Sequence, residues 1–384
     1  MLALAVMTFA GFSGYAMLLP VAPMWAVHGG ANAAGAGLVN GVLLLFTVLT
    51  QLLVPPALTR FGWGPVLAAG LVLLGLPGLA YAASDALAPV LALSAVRGIG
   101  FGVLTVTGSA AVAQLIEPAR RGEAIGTYGL AIALPNLVLL PAGPWVADHV
   151  GFWITFVVSG FPLLGIPAGL RLARVIHGGA EAFLHLDHSP EATPVTESDA
   201  TAYRRLVRPT VLLLAVTLAG GAIITFASQM VSSAWLTTAG LFVMGLVAAV
   251  VRWRAGAVAD RHGAERFIWP LVIVTCVGML LTAYAVRDVQ ATDVTVFLIA
   301  MVVVGLAYGG LQNLTLVIAF NAVSRPHHNR ASAVWNVGFD AGTALGSVLV
   351  GAIAVQGSFA VAMLVAAALS LVTLPVAWWR PRRA

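Results

Sequence analysis

Apolar residues run along this chain in long continuous stretches, and clusters of charge, glycine and proline break them into twelve. They cover roughly 3–27, 35–57, 65–84, 87–114, 123–147, 152–174, 208–231, 234–253, 267–286, 294–320, 331–355 and 358–379. A helix needs about 20 apolar residues to cross a bilayer, and each stretch comes close to that length or exceeds it. A membrane β-barrel would show short alternating segments instead. The pattern predicts an all-α membrane protein of twelve transmembrane helices.

Composition sharpens this expectation. Of 384 residues 60% are hydrophobic and 9% charged, against ~25% charged in an ordinary soluble domain, and the mean hydropathy is +0.98. Twelve spans with short connectors use nearly the whole length, so no sizeable soluble domain is expected. All 19 basic residues are arginines. From a cytoplasmic N-terminus, Arg60, Arg120, Arg121, Arg171, Arg174, Arg204, Arg205, Arg208, Arg252, Arg254, Arg261, Arg266, Arg325, Arg330, Arg380, Arg382 and Arg383 fall on or near the inner side. Only Arg287 falls outside, and Arg97 lies within a span. That bias places both termini in the cytoplasm, as in a protein of a bacterial cytoplasmic (inner) membrane.

Ala31-Asn32-Ala33 imitates a signal-peptidase site, but the ~25-residue apolar run before it lacks a basic leader, and we read it as a retained first helix. No arginine precedes residue 60. Either the first helix does not set its own orientation or residues precede Met1. The lone Cys276 lies in the ninth span and leaves neither a disulfide nor a cysteine metal site. The one long polar stretch, 175–207, holds His177, His185 and His188 among acids, Pro, Ser and Thr. It reads as a cytoplasmic linker between a six-helix half at 1–174 and a second at 208–384, its histidines inert.

The halves repeat. Thr59-Arg60-Phe61-Gly62 follows the second span and Gly256-Ala257-Val258-Ala259-Asp260-Arg261-His262-Gly263 the eighth, with Arg60 and Arg261 in register. Pro118-Ala119-Arg120-Arg121-Gly122 and Pro326-His327-His328-Asn329-Arg330 follow the fourth and tenth. Duplicated six-helix halves are the organisation of rocking transporters. The turn at 256–263 resembles the G-x-x-x-D-R-x-G signature of the major facilitator superfamily, and span number, linker and repeat extend the resemblance over essentially the whole chain. It implies a latch in which Asp260 meets a helix end and Arg261 binds an acid or carbonyl, with Gly256 and Gly263 permitting close approach and the turn. Arg60 belongs to a degraded twin, where Pro55 and Thr59 replace the glycine and the acid.

Arg97-Gly98-Ile99-Gly100-Phe101-Gly102 in the fourth span resembles the R-x-x-Q-G-x-G region of proton-coupled members, with Ser94 at the usual arginine position. Gly143-Pro144 is similar to part of the exporter motif G-x-x-x-G-P-x-x-G-G, although Leu139, Ala147 and Asp148 replace three of its glycines. Proline at 135, 141 and 144 predicts a kinked fifth span.

Charge inside the membrane costs at least ~2.5 to 3.5 kcal/mol per group, and only Arg97 and Asp340 lie deep within spans. Each is ~9 residues, or ~14 Å, from its helix start and so near the midplane. Asn336, Asp340, Thr343 and Ser347 form a polar stripe on the eleventh span, with Gly342 and Gly346 on an adjoining face. Asn40, Thr47 and Gln51 form a matching stripe on the second, which the family's fold places beside the eleventh. Desolvation of a midplane carboxyl such as Asp340 is expected to favour its protonated form, which suits proton coupling.

In the superfamily fold, spans 1, 4, 7 and 10 line the central cavity. They bring Thr8 and Tyr15; Arg97, Phe101 and Thr105; Thr217, Thr225 and Gln229; and Tyr308, Gln312 and Asn313. This lining suits an amphipathic organic molecule better than a bare metal ion. The substrate-binding candidates are Arg97, Tyr15, Phe101, Thr225, Gln229, Tyr308, Gln312, Asn313 and Asn336. The resemblance implies a secondary transporter, read here as a proton-coupled exporter of small organic compounds. The runner-up is a proton-linked importer or facilitator of a small organic anion held by Arg97. A non-transporting receptor or scaffold is the reading of another class, and it leaves the midplane charges without a use. No loop carries a catalytic cluster, nucleophile motif or phosphate loop, so no enzyme and no cofactor is expected. Small-molecule substrate, protons and lipid are the expected partners of a monomer, with no site for nucleic acid.

Overall fold

The computed structural model describes residues 1–115, 121–184, 199–324 and 327–378, without the side chains at 112–115, 121–127, 178–184, 199, 257, 260, 328 and 329. The stretch 118–120, the linker centre 185–198 with His185 and His188, the Asp260 side chain, Arg325, Pro326 and the arginines from 380 onward therefore lie outside the described residues.

The helices are α1 (Leu2–His28), α2 (Ala33–Phe61), α3 (Trp63–Ala80), α4 (Leu87–Leu115), α5 (Arg121–His149), α6 (Phe152–Ser159), α7 (Ile166–Leu184), α8 (Asp199–Met230), α9 (Ala234–His262), α10 (Glu265–Ala285), α11 (Val294–Ala322), α12 (His328–Gln356), α13 (Phe359–Val372) and α14 (Leu374–Trp378). Among the described residues there is no strand. Among the described residues twelve helical stretches are long and apolar enough to cross a membrane. Large apolar side chains such as Leu52, Trp153, Leu164 and Trp253 lie exposed, as lipid-facing positions of a membrane bundle do.

The sixth span, expected as one run, is broken. α6 stops at Ser159, a 3₁₀ segment takes over at Phe161–Gly165, and α7 resumes at Ile166. Pro162 removes an amide donor there, and α1 comes in close: a Cβ on Gly14 would sit 2.6 Å from the Ser159 carbonyl oxygen and 2.6 Å from Pro162. α5 runs as one helix through Pro135, Pro141 and Pro144.

The chain divides into two compact units, Met1–Val21 with Val42–Pro194, and Ala22–Gly41 with Val195–Ala384. In the first, α4 lies between α2 and α3 because its glycines carry no side chain. Gly98 faces the Leu43 carbonyl, Gly100 the backbone of Gly70 and Leu74, and Gly102 the Thr47 carbonyl. In the second, Gly342 and Gly346 bring α12 against Leu214, Thr217 and Leu218 of α8, the close approach their spacing predicts.

The polar stripe of α2 is split. Thr47 donates to the Gly98 carbonyl at 3.1 Å and Gln51 to Thr105 Oγ1 at 3.3 Å, so both serve contact with α4. Only Asn40 reaches α8, donating to Thr225 Oγ1 at 3.0 Å. The expectation that the whole stripe faces the eleventh span is corrected. Steps of seven and four residues keep positions 40, 47 and 51 within about 40° of one another around the helix, so they share a face and meet different helices because about 16 Å separates the first from the last along the axis.

Candidate functional site

In the first unit the glycines that pack α4 also carry Arg97 into the interior. Its side chain is fully buried. Nη2 makes one long contact, 3.4 Å, to the Gly14 carbonyl, and the guanidinium lies 5.7 Å from the Tyr81 ring centroid. Nε and Nη1 have no hydrogen-bond partner among the described residues. Tyr81 is held by its hydroxyl, 2.7 Å from Ser94 Oγ. One turn along α4, Phe101 stacks parallel on Tyr15 with centroids 3.7 Å apart, and Phe12 meets Phe101 edge-on at 5.5 Å. Arg97 is thus a cation beside aromatic rings with donors to spare, a state that carries a desolvation cost.

The second unit gathers the other predicted residues. Asp340 on α12 is 5% exposed. Twelve residues from His328, at 1.5 Å per residue, it lies about 18 Å into a 29-residue helix. Tyr308 of α11 stands within electrostatic reach of Asp340, Arg252 and Gln312, and its ring lies 6.3 Å from that of Phe339. Phe339 stacks on Trp335 at 5.6 Å, and Trp335 Nε1 is fixed by Thr315 Oγ1 at 3.2 Å. Arg252 of α9 donates through Nη1 to Gln312 Oε1 at 3.0 Å and lies 6.0 Å from the Trp335 centroid. Asn313 Nδ2 donates to the Arg252 carbonyl at 3.1 Å, while its Oδ1 has no partner among the described residues. Asn336 turns back to the Ser332 carbonyl at 2.9 Å.

Farther along the same unit the polar atoms are committed to one another. Ser347 donates to the Thr343 carbonyl at 3.0 Å, so the hydroxyl of Thr225, 2.8 Å away, is the donor between them and accepts from Asn40 in turn. Thr225 has no hydrogen left to donate. Gln229 differs, since its Nε2 is buried without a partner among the described residues.

The repeated turns share a backbone. Gly62 and Gly263 follow α2 and α9 with φ of 77° and 82°, a left-handed conformation costly to residues with a Cβ. Their amides return to the Leu58 and Ala259 carbonyls at 3.0 and 2.8 Å. Arg60 and Arg261 are exposed, and Arg60 lies over Phe61. A Cβ on Gly256 would lie 3.8 Å from Asn313, so the signature turn begins beside the Arg252 cluster.

Two features escaped sequence reasoning. Arg252 and Trp335 were not among the candidates, because an arginine near a helix end is absorbed by the positive-inside count. Their signal was helical spacing: Arg252, Ala255 and Ala259 share a face, and Ala255 and Ala259 belong to the apolar cluster that contains Trp335. Arg208 pairs with both carboxylate oxygens of Glu265 at 2.9 and 2.8 Å and also donates to the Val376 and Ala377 carbonyls, tying α8, α10 and the last helix together.

The sequence profile described as Major Facilitator Superfamily matches residues 4–251 and 230–384. No curated protein matches the sequence. Among solved structures, a POT family transporter in complex with 5-aminolevulinic acid superposes with a TM-score of 0.75 at 12% identity, covering 98% of this chain and 96% of that one. A D-xylose-proton symporter gives 0.73 at 13% identity, with 98% and 96% covered. The nucleoside transporter NupG gives 0.67 at 14%, with 99% of each chain covered. At such identities these likenesses describe the fold.

Proposed function

The chain belongs to the major facilitator superfamily, and from that premise we propose that it is a proton-coupled exporter of small organic compounds, working by alternating access with Asp340 as the coupling carboxylate. It is an integral membrane transporter and not an enzyme. The observation that carries the coupling is a carboxylate 5% exposed deep within a span, beside a tyrosine on the neighbouring helix. Of the elements packed against α12, α11 brings Tyr308 to it, α13 and the start of α2 at 33–41 have no ionisable residue, and the ionisable residues of α8 all lie at 199–208, toward its start. A scaffold has no use for such a group, because its burial costs stability and returns nothing.

Alternating access exposes Asp340 to each side in turn, so a proton taken up outside leaves inside as substrate leaves the cell. Tyr15, Phe101 and Arg97 contribute the binding surface of the first unit, and Tyr308, Gln312, Asn313, Asn336, Thr225 and Gln229 that of the second. Gly256, Asp260, Arg261 and Gly263, with Arg60 in the twin turn, latch the cytoplasmic side. The choice of export rests on the resemblance of Gly143-Pro144 to part of the exporter motif; the missing side chain of Gly143 lets α5 approach Met17 and Val21 of α1. The chain acts as a monomer in a bacterial cytoplasmic membrane with both termini inside.

A second reading, proton-linked uptake of an organic anion, is favoured by the unmatched donors of Arg97. Inverted vesicles under an imposed pH gradient separate the two by direction. An exporter accumulates substrate inside them when their lumen is acidic; accumulation only under the opposite gradient selects the importer.

A further inference from the structure

Arg252 contrasts with Arg208 of the same unit. Arg208 is neutralised by Glu265. Arg252 pairs with no carboxylate among the described residues: its side chain has one hydrogen bond, to the neutral amide oxygen of Gln312, and Tyr308 is its neighbouring ionisable group. Solvent reaches it, yet its head does not point out of the bundle. It bends over Trp335, which is 8% exposed, to reach Gln312, which is 4% exposed. A guanidinium whose purpose was to meet headgroups would extend away from the protein. Its flanking residues Trp253 and Arg254 are exposed and stack on each other at 4.9 Å instead.

We propose that Arg252 is the anchor for a substrate carboxylate, and that the substrate is a small organic acid with a planar, aromatic body. A planar guanidinium with free N–H groups matches a carboxylate bidentately. A single guanidinium at this place suits a monoanion, and Asp340, within electrostatic reach of Tyr308, disfavours a second negative charge. Trp335, Phe339 and Tyr308 form a run of rings beside it, against which a flat ring stacks offset or edge-on. Asn313 Oδ1 adds an acceptor without a partner among the described residues. The inference rests on the transport reading and deepens it by naming the chemical class.

The test uses the purified full chain in detergent, with benzoate as the anionic probe and benzamide as its neutral isostere. Benzoate should raise the melting temperature saturably and benzamide should not. Arg252→Gln should increase the half-saturating benzoate concentration at least 10-fold, and Arg252→Lys should fall between, keeping the charge but losing the fork. Both variants alter a solvent-reached side chain, and the melting temperature without probe checks their folding. The proposal is overturned if Arg252→Gln binds benzoate like the wild type, if benzamide binds equally well, or if benzoate never saturates. Proton flux of the wild-type protein in proteoliposomes is read separately. Flux intact with benzoate failing removes the anion anchor and leaves the transport reading standing, whereas absent flux removes the transport reading itself.

Discussion

The first unit hides its arginine and the second shows one. Arg97 is sealed among Gly14, Tyr81 and Ser94 with two nitrogens unsatisfied among the described residues, whereas Arg252 is solvent-reached, hydrogen-bonded and laid over an indole. The same side chain is in one case a charge held out of water at a cost and in the other, on our proposal, a charge ready for a ligand. The first unit also contributes aromatic surface with no carboxylate beside its cation among the described residues, while in the second Tyr308 is within electrostatic reach of both Asp340 and Arg252. Proton and ligand chemistry are therefore expected to concentrate in the second unit, with the first supplying shape and a reserve of positive charge.

The sharpest way to break this contrast is to neutralise each arginine. Arg97→Met should abolish transport, at least 100-fold, while the melting temperature stays level or rises, because an apolar replacement removes an unsatisfied buried cation. Arg252→Gln should instead weaken substrate affinity about 10-fold and retain much of the maximal rate. Loss of maximal rate in Arg252→Gln with unchanged affinity, or normal transport by Arg97→Met, would reverse the assignment.

The repeated turns offer a second contrast. Arg261→Ala or Asp260→Asn should slow the transport cycle about 10-fold without altering substrate affinity, and Arg60→Ala, in the turn that has Thr59 for the acid, less than 2-fold. Equal effects would mean a symmetric latch. Turnover measured beside the accessibility of introduced cysteines at the cytoplasmic ends reads both.

Smaller still are the purely structural effects. Arg208→Ala removes a bidentate pair with its carbonyl contacts and should cost about 1 to 2 kcal/mol, since Glu265 is partly exposed and screened. Gly263→Ala and Gly62→Ala should each cost about 1 kcal/mol through the left-handed backbone. Chemical denaturation in detergent measures all three.

The helix count was legible because hydrocarbon imposes one rule on every span, and the repeat because turn residues at Gly62 and Gly263 need the same backbone. What hydropathy could not show is direction around a helix. Thr47 and Gln51 share a helix face with Asn40, yet they hydrogen-bond to α4 while Asn40 reaches α8, because packing alone decides which neighbour stands at each height along the helix. The break before Pro162 was written in the sequence, but an apolar run with two prolines, Pro162 and Pro167, reads equally as a continuous span. Arg252 was invisible for a related reason: near a helix end a cation serves orientation whether it points to headgroups or folds inward. Asp340 stood out in the sequence because a carboxylate so far from either helix end carries a desolvation cost whatever its role, and the structure buries it to 5% exposure.

The central claim is that Asp340 carries the coupled proton, and Asp340→Asn in proteoliposomes tests it most directly. Proton flux and substrate flux are measured under an imposed pH gradient, alongside the melting temperature. The account predicts a folded protein that still binds substrate, with its pH dependence flattened and its pH-driven accumulation lost. A stable Asp340→Asn protein that couples substrate to protons at the wild-type ratio would contradict it.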